Sequence, residues 1–192
     1  IPKGIINLIS VSENDVSKVG DELCANKDIR KISFTGSTKV GKILMEKTSS
    51  SVKRVSMELG GHAPFIVFED ADLDSALEGA MGNKYRNSGQ VCVSANRIYV
   101  HESIYDKFAK KLAHKSAELK ISDGTIEGTQ IGPLITSAAV EKVESHVNDA
   151  VNKGANVLTG GEIDVAGPQF YKPTVITNVT NKMKIYYEET FG

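Results

Sequence analysis

The 192 residues carry 23 basic and 24 acidic side chains, a formal net charge of -1, and 40% hydrophobic residues. Such a chain can bury a core in one good-sized domain or two small ones, and its charge balance speaks against a nucleic-acid binder with a basic excess on one face. No apolar stretch nears the roughly 20 residues that cross a bilayer, no charged-then-apolar leader is visible, and two cysteines, Cys24 and Cys92, are too few for a disulfide scaffold. These features suggest an intracellular, cytoplasmic thiol protein. Ile1 in place of Met and the ending Glu188-Glu189-Thr190-Phe191-Gly192 read as cut ends, so the chain is expected to be a segment of something longer.

In chain order, Ile5 to Ile9 reads as a strand and Asp15 to Ala25 as a short helix with Val16, Val19 and Leu23 on one face. Ile32-Ser33-Phe34 is a short buried strand that runs into Thr35-Gly36-Ser37, and Thr38 to Ser49 is a helix. Val52 to Leu59 alternates as a strand until Gly60-Gly61 breaks it. Phe65 to Phe68 is an apolar strand, and Asp70 or Asp72 can cap a helix carrying Leu73, Ala76, Leu77, Ala80 and Met81. Arg97 to Val100 is another strand. Ser103 to Leu119 is the best-patterned helix, with Ile104, Phe108, Leu112 and Leu119 inward. Thr136 to Lys153 is a helix that Gly154 should end, and Val157-Leu158 and Thr174 to Ile176 complete the strands. Alternation of this kind predicts α/β layers with mostly parallel strands. Gly60-Gly61 is the expected hinge between residues 1–60 and 61–192.

Three motifs could carry chemistry. Phe34-Thr35-Gly36-Ser37-Thr38-Lys39-Val40-Gly41-Lys42 is a strand ending in a glycine turn that opens a helix, which aims backbone N–H groups at an anion. Gly36 to Lys42 also fits G-x-x-x-x-G-K, but Ile43 stands where a phosphate-binding loop needs a magnesium-ligating hydroxyl. Taken alone, the motif is compatible with a plain strand–turn–helix junction. Met57-Glu58-Leu59-Gly60-Gly61 sets a carboxylate at a domain junction, where burial can tune it into a general base; by itself it is equally an ordinary surface glutamate before a turn. Tyr85-Arg86-Asn87-Ser88-Gly89-Gln90-Val91-Cys92 puts a lone cysteine after a small polar turn with Arg86 nearby, a setting that favours a thiolate. Most free cysteines are structural, and Cys24, on its amphipathic helix, fits that description. The four histidines show no metal-ligand spacing, no metal site is expected, and His114 and His146, both in helices, are expected to be exposed.

Together, in this order, these motifs resemble the aldehyde dehydrogenase superfamily. The resemblance runs from Ile1-Pro2-Lys3-Gly4 through F-T-G-S-T-x-x-G, E-L-G-G, G-Q-x-C, Gln130-Ile131-Gly132-Pro133 and Lys172-Pro173-Thr174 to E-E-T-F-G, and so spans the whole chain. It implies an aldehyde dehydrogenase fold, with residues 1–60 the C-terminal half of a Rossmann-type NAD(P)-binding domain and 61–192 an incomplete catalytic domain. It implies Cys92 as nucleophile, with its backbone N–H as half of the oxyanion hole, and Glu58 as general base. Gly36, Ser37, Val40, Gly41 and Leu59 would bind NAD or NADP, Glu189 would hold the nicotinamide ribose, and Phe191 would pack by the nicotinamide. The thiolate adds to an aldehyde, the thiohemiacetal is oxidised to a thioester, and water activated by Glu58 releases the acid.

Within the superfamily the segments Glu58 to Val67 and Tyr85 to Gln90 look most like succinate-semialdehyde dehydrogenases, where an arginine six residues before the nucleophile, here Arg86, takes the substrate's distal carboxylate. Some members carry a second cysteine two residues after the nucleophile; this chain has Ser94 there, so no redox disulfide is expected. The resemblance further implies a full-length homodimer or homotetramer, and a segment that by itself binds cofactor weakly and turns over poorly. The competing expectations are a related enzyme for lactaldehyde or a general aliphatic aldehyde, and an inert binding or structural module.

Overall fold

In the computed structural model, which describes residues 1–192, the first regular element is the helix α1 (Val16–Ala25). The strand expected at Ile5 to Ile9 is not formed; these residues are exposed, Leu8 by 96%, because no neighbouring strand takes their backbone groups. The expected inward stripe of α1 is also rotated. Cys24 is buried while Val16 and Leu23 are exposed, since α1 packs on the helix α2 (Thr38–Ser49).

The strands β1 (Lys31–Thr35) and β2 (Arg54–Glu58) flank α2 and pair in parallel, from Lys31 opposite Arg54 to Thr35 opposite Glu58. Both alternate exposed and half-buried positions, so β1 is not the fully buried strand that its apolar residues suggest. Ser37 opens α2 by accepting a hydrogen bond from the Val40 N–H onto its Oγ, at 3.3 Å. These elements lie in one compact unit, Ile1–Gly60, and the rest of the chain, Gly61–Gly192, forms a second.

The second unit begins with β3 (Ala63–Val67), followed by α3 (Leu73–Lys84), whose cap is Asp72: its carboxylate accepts from Ser75 N–H at 2.7 Å. β4 (Ala95–Val100) pairs in parallel with β3, and α4 (Tyr105–Ala117) follows after a 3-10 turn. Leu77 and Ala80 of α3 meet Phe108 and Leu112 of α4 and Val67 of β3 in the main core, the expected consequence of apolar residues at helical spacing. α5 (Ser137–Asn152) is capped by Thr136, whose Oγ1 accepts from Ala139 N–H, and is closed by Gly154 at φ +93°. β5 (Asn156–Thr159) and β6 (Val175–Thr177) pair antiparallel, and a single turn, α6 (Lys184–Tyr187), leads into an extended Glu188. The fold class is therefore α/β, with two parallel pairs and one antiparallel pair. No helix is long and apolar enough to cross a membrane.

One histidine departs from expectation. His146 is 1% exposed, whereas His114 is exposed as anticipated. The reason is spacing: Val140, Val143, Val147 and Ala150 form the buried stripe of α5, and His146 lies on that stripe.

Candidate active site

In the first unit the candidate residues gather where β1 and β2 end. Gly36 N–H donates to the Glu58 carbonyl at 3.0 Å, which fixes the turn against the end of β2. Ser37 and the exposed Val40 stand at the opening of α2, whose first N–H groups have no acceptor within the helix. Gly41 is buried, and a Cβ there would lie 2.6 Å from the Leu59 side chain. A larger residue would push α2 away from the residues that follow β2. The Glu58 side chain is exposed.

In the second unit the candidate cysteine follows a loop of unusual backbone. Asn87, Ser88 and Gly89 all have positive φ, at +50°, +56° and +78°. Two successive non-glycine residues in the left-handed region are costly, and such conformations persist only where neighbours hold them. Here the neighbours are the residues around the Gln130 to Pro133 turn. Ser88 Oγ donates to the Gly132 carbonyl at 3.2 Å and accepts from Gly132 N–H at 2.9 Å. Gln90 accepts from Ile135 N–H at 2.9 Å and donates to the Pro133 carbonyl at 3.3 Å. On the far side Asn83 accepts from Ala95 N–H at 2.6 Å and donates to the Val93 carbonyl at 3.3 Å. Cys92, between these anchors, is exposed, while Ser94 beyond it is buried. Arg86 is exposed at the head of the turn.

Against this loop lies the end of the chain. A Cβ on Gly61 would sit 2.6 Å from the Cys92 carbonyl oxygen, and Gly61 N–H donates to the Glu189 carboxylate at 2.9 Å. Gly61 thus joins the backbone of Cys92 to the side chain of Glu189. A Cβ on Gly89 would likewise lie 2.6 Å from the Gly192 carbonyl oxygen. Lys84 donates to that carbonyl and to Asn96 Oδ1, each at 2.8 Å, and burial pushes its ammonium down to about 8. Phe191 is 41% exposed. His62 Nε2 meets the Tyr186 carbonyl at 3.0 Å, and burial lowers the imidazole below its usual range. Arg97 forks onto the His62 carbonyl, with Nε at 3.1 Å and Nη2 at 2.6 Å.

Lys84 lies outside the three sequence motifs, and within them Gly61, Ser88 and Gln90 carry no role that their residue type announces. Only the pairs of glycines and the polar turn before Cys92 hinted at a close approach. The side chains of the second unit also enclose an apolar cavity of about 380 Å³ that reaches from Lys84 and Tyr85 to His146 and Thr190. No cluster of metal-binding side chains is present.

An exposed cysteine on a constrained loop, its backbone carbonyl against the glycine whose N–H binds the Glu189 carboxylate, suits nucleophilic catalysis in which neighbouring groups bind a second molecule. Comparison with known proteins identifies the family. The profile of the aldehyde dehydrogenase family matches residues 1–192. The chain is 51% identical over 191 residues to a probable succinate-semialdehyde dehydrogenase [NADP(+)] of Sinorhizobium fredii, covering 100% of this chain and 38% of that protein. It is 53% identical to a glutarate-semialdehyde dehydrogenase of Pseudomonas putida, covering 100% of this chain and 39% of the relative. The crystal structure of succinate-semialdehyde dehydrogenase from Burkholderia pseudomallei superposes with a TM-score of 0.96 at 50% identity, over 100% of this chain and 39% of that one. The chain thus spans well under half the length of these relatives, and over that span it belongs to the aldehyde dehydrogenase family.

Proposed function

We propose that the full-length protein containing this chain oxidises an aldehyde to a carboxylic acid with NAD(P), through a covalent intermediate on Cys92. The observation that carries the reading is the exposed Cys92 on a strained, externally braced loop whose carbonyl lies against Gly61, the residue that orients Glu189. The residues present fit a dinucleotide. The Thr38 and Lys39 N–H groups at the start of α2 have no acceptor within the helix, Gly41 keeps that helix close to Leu59, and Glu189 has a carboxylate oxygen beyond the one bound to Gly61. In this reading Gly36, Ser37, Val40, Gly41 and Leu59 line the binding turn, Glu189 takes the nicotinamide ribose and Phe191 packs by the ring.

The Cys92 thiolate attacks the aldehyde carbon, forming a C–S bond as the carbonyl π bond opens to an alkoxide that the Cys92 backbone N–H stabilises. The bound dinucleotide supplies the two-electron acceptor that converts this adduct to a thioester. Glu58 then takes a proton from water, the hydroxide adds to the thioester carbonyl, and the Cys92 thiolate departs to release the acid.

Succinate semialdehyde is the proposed substrate. Both the succinate- and the glutarate-semialdehyde relatives are named for aldehydes with a distal carboxylate, and the Arg86 guanidinium suits such a group because it binds in a fork. In the full-length enzyme, Arg86→Ala is expected to lower kcat/KM for succinate semialdehyde about 100-fold, the scale of a forked pair of charge-assisted hydrogen bonds. Oxidation of propanal should change by less than about threefold, since that substrate lacks the carboxylate. Equal losses on both refute the carboxylate reading and favour an enzyme for neutral aldehydes.

A further inference from the structure

Resting on that reading of Glu189, we propose that His146 is a positioning residue that sets which way the Glu189 carboxylate points. His146 lies on the inward face of α5, 1% exposed, and both ring nitrogens are engaged. Nδ1 meets Thr190 Oγ1 at 2.9 Å, and Nε2 meets a carboxylate oxygen of Glu188 at 3.1 Å. One imidazole therefore grips the residues on either side of Glu189.

The consequence follows from extended backbone. Glu188 is extended, with φ -97° and ψ 137°, and the side chains of 188 and 190 meet His146 while that of 189 meets Gly61, the alternation of an extended backbone. Holding residues 188 and 190 toward α5 turns residue 189 the other way, where its carboxylate accepts from Gly61 N–H at 2.9 Å. Gly61 in turn abuts the Cys92 carbonyl. The imidazole acts through the alternation of the chain, without touching the reacting atoms. Thr190 is itself buried at 9% exposure, so its hydroxyl has no ready water to replace the imidazole. The neighbouring anchors hold other points of the same segment: His62 holds the Tyr186 carbonyl and Lys84 the Gly192 carbonyl. Neither constrains the 188–190 alternation, which leaves that role to His146.

The test uses the full-length enzyme with two variants. His146→Ala removes the whole clamp, and Thr190→Val, nearly isosteric, removes the Nδ1 partner alone and guards against a His146 variant that fails to fold. Each is expected to raise the KM for the nicotinamide cofactor about tenfold, the factor that one hydrogen bond of ordinary strength supplies. The rate of Cys92 alkylation by iodoacetamide, measured without cofactor, should stay within about twofold, because the loop is braced independently. His146→Gln, which restores a donor toward Glu188, should recover part of the KM. An unchanged cofactor KM in folded Thr190→Val overturns the proposal, as does a fall in kcat and in Cys92 alkylation that parallels a loss of thermal stability. Wild-type enzyme that binds no cofactor and oxidises no aldehyde sinks the dehydrogenase reading itself, a result visible before any variant is compared.

Discussion

Gly61 shows how little room the site leaves at the level of single residues. Its missing side chain admits the Cys92 carbonyl and its N–H orients Glu189, so one residue serves both halves of the chemistry proposed for the second unit. Gly61→Ala must move one backbone against another, because the atom 2.6 Å from the new Cβ is a carbonyl oxygen and cannot rotate aside. In the full-length enzyme this substitution is expected to lower kcat/KM about 100-fold, the scale set by displacing a reacting group by about 1 Å; wild-type activity in Gly61→Ala would show that the contact does not position Cys92.

Lys84 gives a second residue-scale test, through pH. Its folded-state value lies near 8, below that of a free lysine, because burial disfavours the ammonium. Between the folded and the unfolded values the unfolded chain binds more protons, so this group makes stability rise with pH across that window. The difference in urea midpoint between wild type and Lys84→Met should therefore grow in favour of wild type from pH 8 to pH 10. A difference that is flat or falls over that range would contradict the assignment.

At the scale of elements, the loop that delivers Cys92 depends on a partner far along the chain. Ser88 exchanges two hydrogen bonds with Gly132 while holding φ +56°. Ser88→Ala keeps the strain and loses both bonds, and should destabilise the fold by about 1–3 kcal/mol by urea titration, since Gly132 N–H loses its acceptor. Ser88→Gly loses the same bonds but relieves the left-handed backbone, so it should cost less than Ser88→Ala. The reverse order would mean that the loop carries no strain worth relieving.

The elements differ in how far the chain announces them. α5 was legible almost to the residue, because Thr136 caps it, Gly154 ends it and its apolar spacing is regular. The same stripe contains His146, yet a histidine within a polar-looking helix reads as exposed unless its position on the stripe is given more weight than its type. Ile5 to Ile9 has strand-forming residues but no strand beside it, and pairing is not written locally. The left-handed run was only partly legible: Asn87 and Gly89 are residue types that accept positive φ, but nothing in the sequence marks Ser88 between them.

For the molecule as a whole, family membership was readable because several short motifs occur in order over the full chain, and the 0.96 TM-score to the Burkholderia pseudomallei enzyme shows that the fold follows. The mutual fit of distant segments was not readable. Gly61 beside Cys92, and Gly89 beside Gly192, are contacts between residues tens of positions apart, and a glycine in a sequence does not name the atom that will approach it.

If Cys92 forms the covalent bond and Glu58 releases it, removing the Glu58 carboxylate separates the two steps. The most direct measurement is intact-protein mass spectrometry of full-length Glu58→Gln after mixing with succinate semialdehyde and NADP. The expected result is a succinyl adduct that accumulates and maps to Cys92 on peptide digestion, with little free succinate formed. An enzyme that turns over at the wild-type rate without an adduct, or an adduct on any other residue, would contradict it.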